Sequence, residues 1–328
     1  MLGDGSAARP VAAPVVPAGD APPPAAARAG VLGALGRPGC VLMPLVQVGA
    51  HVSSSGGIFT AIERAEAIEA EVFQIFPSAP QRWAKTNHKP EAIAKFKQLR
   101  DDSAIGDVWL HNIYLANLAT EDPEQLEKSI DSVINALTVA QAAEAQGVVL
   151  HTGSHRGRGL EAVLGQVAEA LRRILDQSPG EAVLALENAA GQGGVIGGSF
   201  GELGAILEAV GSPRLQVCFD TCHAFAAGYD IANAEAIGAV VREFDAEIGL
   251  DRLAVVHAND SKMALGGNRD RHENIGDGQI GLDGLRTVMA QPAFQGRAWL
   301  LEVPGIEDGG PDLENVRRLK RIRDQLDE

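Results

Sequence analysis

Seven short β-rich runs in this 328-residue chain close on a side chain that can bind a metal ion: His51, His111, His151, Glu187, Asp220, His257 and Glu302. Two further clusters lie just past such ends, Asp220-Thr221-Cys222-His223 and Asp270-Arg271-His272. Imidazoles and carboxylates without ligand cysteines suit zinc or manganese, whereas calcium and magnesium cages are built from oxygen. Each residue alone reads more simply as a loop anchor. Seven around one small mouth would desolvate and repel one another unless cations neutralised them. Cys218 and Cys222 lack the partner thiols of a four-cysteine site and read as small buried apolar residues. His88 and His155 fall outside the pattern and read as surface or supporting groups.

What could bring such distant residues together is set by the runs themselves. They are Val46–His51, Val72–Phe76, Val108–His111, Val148–His151, Ala182–Glu187, Leu215–Asp220, Leu253–His257 and Trp299–Glu302. Near-continuous Val, Leu and Ile predict strands buried on both faces, as in a parallel sheet. Helical patterns separate them. In the clearest, Asp122 is the N-cap and Pro123 opens the first turn. Leu126, Ile130, Ile134 and Leu137 then share one face, with Gly147 as the stop. Eight strand–helix repeats predict a (β/α)8 TIM barrel, an α/β fold of one domain, in which all strand C-termini meet at one face. Only the second run ends without a metal-binding group, in Phe76.

Composition narrows the class. Apolar residues make up 45% and charged residues 22%, with 28 basic against 43 acidic side chains and a net charge of −15. That excludes a fibre, a membrane bundle and a protein that coats nucleic acid with positive charge, but not an enzyme with a local positive site. Three cysteines fit a reducing, cytoplasmic setting. Residues 1–44 hold 8 of the 17 prolines. Residues 1–43 therefore read as a disordered Ala/Pro-rich extension, or as the product of a start assigned upstream of Met43, with the barrel occupying 44–328.

Six segments resemble endonuclease IV, the second family of apurinic/apyrimidinic endonucleases. They are Gly49–Ser53 (GAHVS), His111–Asn117 (HNIYLAN), His151–His155 (HTGSH), Glu187–Gly193 (ENAAGQG), Val217–Asp230 and His257–Gly281. The resemblance spans about residues 46–305 and implies a (β/α)8 barrel with three zinc ions, manganese being an option at one. It would place His111, His151 and Glu187 on one zinc. Glu187 would bridge to a second, held also by Asp220, His257 and Glu302; His223, Asp270 and His272 would hold the third. Glu187 and Glu302 would be the catalytic carboxylates. The implied reaction is hydrolysis of the phosphodiester 5′ to an abasic site in double-stranded DNA, leaving a 3′-hydroxyl, with trimming of blocked 3′ ends by a monomeric protein.

The DNA-reading side chains follow the family less closely. Gln81, Arg82 and Trp83 stand where the family carries an Asn-Pro-Arg-like loop, with the arginine displaced by one position. Tyr114 matches a residue near the lesion, and Lys262 and Arg271 are candidate phosphate contacts. A stacked aromatic would ease extrusion of a damaged sugar; Trp83 could otherwise simply pack against a helix. Two other functions fit part of the pattern. A single-metal sugar isomerase or epimerase of the xylose-isomerase-like barrels needs only Glu187, Asp220, His257 and Glu302. A lesion-binding or metal-storing protein needs no catalysis at all. His111, His151, His223, Asp270 and His272 discriminate, because an isomerase uses none of them.

Overall fold

The computed structural model describes residues 46–326 apart from Ala84. The Ala/Pro-rich stretch 1–43 lies outside the described residues. Eight parallel strands form a closed barrel: β1 (Gln47–His51), β2 (Val72–Ile75), β3 (Val108–His111), β4 (Gly147–Leu150), β5 (Val183–Glu187), β6 (Leu215–Asp220), β7 (Leu253–His257) and β10 (Ala298–Leu301). β10 closes it by pairing with both β7 and β1. Helices α1 (Thr60–Ala67), α2 (Pro90–Asp101), α3 (Pro123–Ala142), α4 (Leu160–Gln177), α5 (Phe200–Val210), α7 (Ile237–Glu247), α8 (Gly281–Met289) and α9 (Leu313–Asp324) fill the crossovers and the C-terminal end. The short α6 (Thr221–Ala227) follows β6 directly, and a two-residue antiparallel ribbon, β8 (Asp260–Ser261) with β9 (His272–Glu273), follows β7. Among the described residues, no helix is long and apolar enough to cross a membrane.

The alternation of strand side chains divides the core in two. One set, including Phe73, Leu110, Leu150, Leu186, Phe219 and Val256, packs against the helices. The other, Val72, Trp109, Val149, Ala185, Cys218, Val255 and Leu300, forms a separate cluster inside the barrel. This plug is the floor on which the mouth residues stand. Two positions beyond each of these seven residues comes Gln74, His111, His151, Glu187, Asp220, His257 or Glu302, while Ala298, the eighth member, lies one layer below Leu300. On β1, where Gly49 takes the inner place because a Cβ would collide with the Val72 carbonyl, the corresponding residue is His51.

The helix expected after Asp122 is α3. The Asp122 carboxylate accepts hydrogen bonds from the Glu124 and Gln125 amides, and Ile130, Val133, Ala136 and Leu137 are buried. Its end differs from the expectation. The chain turns at Ala143 and Glu144, with Glu144 at φ 54°, and Gly147 is the first residue of β4. Gly147 is a strand glycine because a Cβ there would lie 2.5 Å from the Val183 carbonyl oxygen and 2.9 Å from the Trp109 ring.

Candidate metal centre

Glu187 ends β5 in the middle of the mouth, almost wholly buried. Its two oxygens face different partners. Oε2 is 3.2 Å from His111 Nε2 and 3.0 Å from His151 Nε2. Oε1 is 3.2 Å from His257 Nδ1 and 3.1 Å from His223 Nδ1. His257 Nδ1 is also 3.3 Å from Glu302 Oε2 and 3.8 Å from Asp220 Oδ2. To one side, Asp270 Oδ1 is 3.2 Å from both His223 Nε2 and His272 Nε2. Among the described residues the donor atoms form five groups, each within 4.8 Å; three have no thiol, His111–His151–Glu187, Glu187–Asp220–His257–Glu302 and His223–Asp270–His272, and the other two draw in Cys218 or Cys222.

Local structure explains the aim of each side chain. Asp220 N-caps α6, its Oδ1 accepting from the His223 amide at 2.7 Å, so one turn of helix carries His223 over the mouth. The β8–β9 ribbon, which packs beside α6 through the contact of Cys222 Sγ with Arg271 O, carries His272 on β9 and Asp270 in the loop just before it. Backbone carbonyls fix the imidazoles. His111 Nδ1 donates to Asn112 O at 2.7 Å, His223 Nδ1 to Asn188 O at 3.0 Å, and His272 Nδ1 to Glu302 O at 3.1 Å. Each leaves Nε2 as the free ring nitrogen, the outer arrangement by which proteins orient metal-binding imidazoles. Asn259 ties the Asp220 carboxylate to the backbone of Glu302: its Nδ2 donates to Asp220 Oδ2 at 2.7 Å while its Oδ1 accepts from the Glu302 backbone amide.

Within the centre, imidazoles and carboxylates offset one another's charge. Burial disfavours the charged forms of His223 and His257, but Asp220, Asp270 and Glu187 around the first, and Cys218, Glu302 and Glu187 around the second, overcome it and raise both well above the ordinary imidazole value. Burial likewise opposes ionisation of Glu187, yet His151 and His257 hold it well below the usual carboxylate range. Desolvation also works against the charge on Asp270, but the close approach and charge of His223, with His272 and His151 behind it, bring it down to about 2. The fit to a cation shows in His223 and His272. Both Nε2 atoms are sealed from solvent with no hydrogen bond of acceptable geometry, although each is 3.2 Å from Asp270 Oδ1. Proximity without alignment is what ligands of a shared ion display. Burial pushes the Cys218 and Cys222 thiols up to about 12, so both remain neutral at physiological pH.

Around the centre runs a cleft of about 1000 Å³, lined among others by His51, Phe76, Pro80, His88, Tyr114 and Glu302. Tyr114 is 56% exposed, edge-on to Phe76 and close to the rings of His111 and His151. Its amide donates to Pro80 O at 3.3 Å, tying it to the β2 loop, where Gln81, Arg82 and Trp83 are all exposed. Lys262 and Arg271 are exposed on the ribbon, Lys262 Nζ lying 3.9 Å from Glu273. His155 Nδ1 accepts from the Gly157 and Gly159 amides in a turn away from the three groups. His51 stands outside them too, its Nδ1 3.2 Å from Glu302 Oε1.

Comparing strands by their last residue puts Phe76 at the mouth for β2; the barrel layer puts Gln74 there. That glutamine, and Asn112, Asn188 and Asn259, escaped the sequence reading. Gln74 left one signal, a lone amide in the apolar run Val72-Phe73-Gln74-Ile75-Phe76, two places past an inner core residue.

Residues 62–325 match the family described as xylose isomerase-like TIM barrel. The chain is 36% identical to the probable endonuclease 4 of Halothermothrix orenii, over 84% of its own length and all of the relative. It is 38% identical to that of Methanoculleus marisnigri, over 85% and 99%. Among solved structures, endonuclease IV from Thermus thermophilus superposes with a TM-score of 0.76 at 35% identity, covering 85% of this chain and 99% of that one. A D-tagatose 3-epimerase-like protein, at 20% identity and a TM-score of 0.64, shares the fold.

Proposed function

The chain belongs to the endonuclease IV family of xylose isomerase-like TIM barrels and is a DNA-repair endonuclease, and from that premise we propose that it hydrolyses the phosphodiester 5′ to abasic sites in duplex DNA. The products would be a 3′-hydroxyl and a 5′-sugar phosphate, and blocked 3′ ends would be trimmed by the same hydrolysis. The observation that carries this reading is the split carboxylate of Glu187, whose two oxygens face separate sets of imidazoles.

Three zinc ions are the cofactor this donor set suits: His111, His151 and Glu187 would hold one, Glu187 with Asp220, His257 and Glu302 a second, and His223, Asp270 and His272 the third. Zinc bound there supplies Lewis-acid charge to the phosphate and lowers the pKa of water toward ~7. The protein's own residues do the rest. Glu187 couples two donor groups, so it sets their spacing as well as their charge. Glu302, shared between His257 and the cleft, lines the wall along which the scissile strand would lie. Burial and the nearby charges of Glu302 and Glu187 keep the Tyr114 phenol protonated, so it can stack or donate beside the lesion without adding negative charge. Lys262 and Arg271 would contact phosphates, and Gln81, Arg82 and Trp83 would enter the duplex from the β2 loop. The protein would act as a monomer in the cytoplasm.

A single-metal isomerase would use Glu187, Asp220, His257 and Glu302 and leave His223, Asp270 and His272 converging without purpose. The test is a duplex oligonucleotide with one abasic site. Nicking on its 5′ side, abolished by chelation and restored by zinc, is expected; an intact strand together with aldose–ketose conversion would reverse the assignment.

A further inference from the structure

We propose that Gln74 is the positioning residue of the Glu187–Asp220–His257–Glu302 group, its side-chain amide setting the tautomer of His257 and the free oxygen of Glu302. The inference rests on the reading that this group holds a metal ion. Gln74 is fully buried in β2, and His51 is its register partner on β1. A buried amide is costly unless both its ends are paired. Here both are, and both to residues of one group.

The chemistry of the contacts leaves one arrangement. Gln74 Oε1 can only accept, so His257 Nε2, 3.0 Å away, must carry the hydrogen. Nδ1 is then the ring nitrogen left to face Glu187 and Glu302. At the other end, Gln74 Nε2 donates to Glu302 Oε1 at 2.7 Å and lies 3.0 Å from His51 Nδ1. Glu302 Oε1 is thereby taken, and Oε2 is the oxygen left beside His257. Turning the amide over would set its carbonyl oxygen 2.7 Å from the Glu302 carboxylate oxygen, acceptor against acceptor, so the orientation is forced. His111, His223 and His272 have backbone carbonyls for this purpose; for His257 the partner is Gln74.

An amide is required because it donates and accepts at once. Methionine would fill the space while leaving His257 Nε2 and Glu302 Oε1 without their partner. Glutamate would keep the acceptor for His257 and lose the donor to Glu302. The experiment compares full-length wild type, Gln74→Met and Gln74→Glu, each loaded with zinc, by titration with graded chelator and by 15N NMR of the imidazoles. Wild type should show His257 protonated at Nε2. Gln74→Met should lose that single tautomer and surrender one zinc about 10–100-fold more readily, the usual effect of removing a partner behind a metal ligand. Gln74→Glu should restore the tautomer. The zinc expected on His223, Asp270 and His272 should be released as in wild type. A Gln74→Met protein with unchanged chelator resistance and an unchanged tautomer would overturn the proposal, as would wild-type His257 protonated at Nδ1. Wild type that holds no zinc at this group would overturn both this inference and the reading beneath it.

Discussion

Glu187 is the residue on which most depends, because four imidazole nitrogens lie within 3.2 Å of its two oxygens. Glu187→Gln keeps the volume but removes the charge and half of the acceptor capacity. Turnover should fall by at least ~10³-fold, the scale of losing one principal electrostatic group, while the circular dichroism spectrum stays native; activity within tenfold of wild type would deny Glu187 its coupling role. The paired charges also fix a pH dependence. Glu187 and Glu302 are depressed from an ordinary 4.5, so their contribution to stability is present above 4.5 and lost as acid titrates them. His223 and His257 are raised from 6.5, so theirs is complete below 6.5 and lost as pH climbs through the raised values. Chelator-stripped protein should therefore melt highest between pH 4.5 and 6.5 and weaken as pH climbs through the raised imidazole values. Zinc-loaded protein should not weaken over that alkaline range, because metal and protons compete for the same nitrogens. Parallel melting curves across pH for the two forms would contradict this. At the rim, Tyr114→Ala and Trp83→Ala should each weaken binding to abasic duplex by about 1–3 kcal/mol, the worth of one stacking contact, without altering zinc content. Affinity unchanged from wild type in both variants, read by fluorescence anisotropy, would assign the two rings to packing.

At the scale of elements, the strands were legible because sheets buried on both faces demand unbroken apolar runs, and a residue that can bind metal stands out at the end of such a run. β8 and β9 were not legible, since two-residue strands have no period. What holds them is Asp260, a fully buried carboxylate that accepts hydrogen bonds from the amides of Ser261, Gly276, Gly278, Ile280 and Gly281. It looked unremarkable in sequence because its partners are backbone groups. Asp260→Ala would strand two buried donors, the Ser261 and Ile280 amides, at about 1–3 kcal/mol each and leave three partly buried ones short of a partner, so the melting temperature should drop sharply and the zinc nearest His272 should be lost first. A variant that melts with wild type would show that the 274–281 loop holds itself. Gly147 misled for a related reason: a glycine marks a stop or a crowded strand equally well, and only the approach of Val183 and Trp109 decides. Gln74 could have been found by counting in steps of two from the inner core residues, because the barrel arranges its mouth by layer and not by where each run happens to end.

For the molecule as a whole, an acidic chain that acts on a polyanion must concentrate positive charge locally, and four carboxylates against three dications would leave about two positive charges in the mouth by formal counting. The barrel provides the concentration by gathering eight strand ends at one face. Residues 1–42 contain no member of the three donor groups. A chain starting at Met43 should therefore keep the melting temperature and nicking rate of the full-length protein, and a clear fall in either would show that the leading segment contributes to the barrel. The most direct test of the central claim is metal content by elemental analysis of the purified protein and of the His223→Ala, His272→Ala double variant. Three zinc equivalents per chain falling to about two, with the fold retained and cleavage steeply reduced, is the predicted result. One metal per chain in both proteins would contradict it.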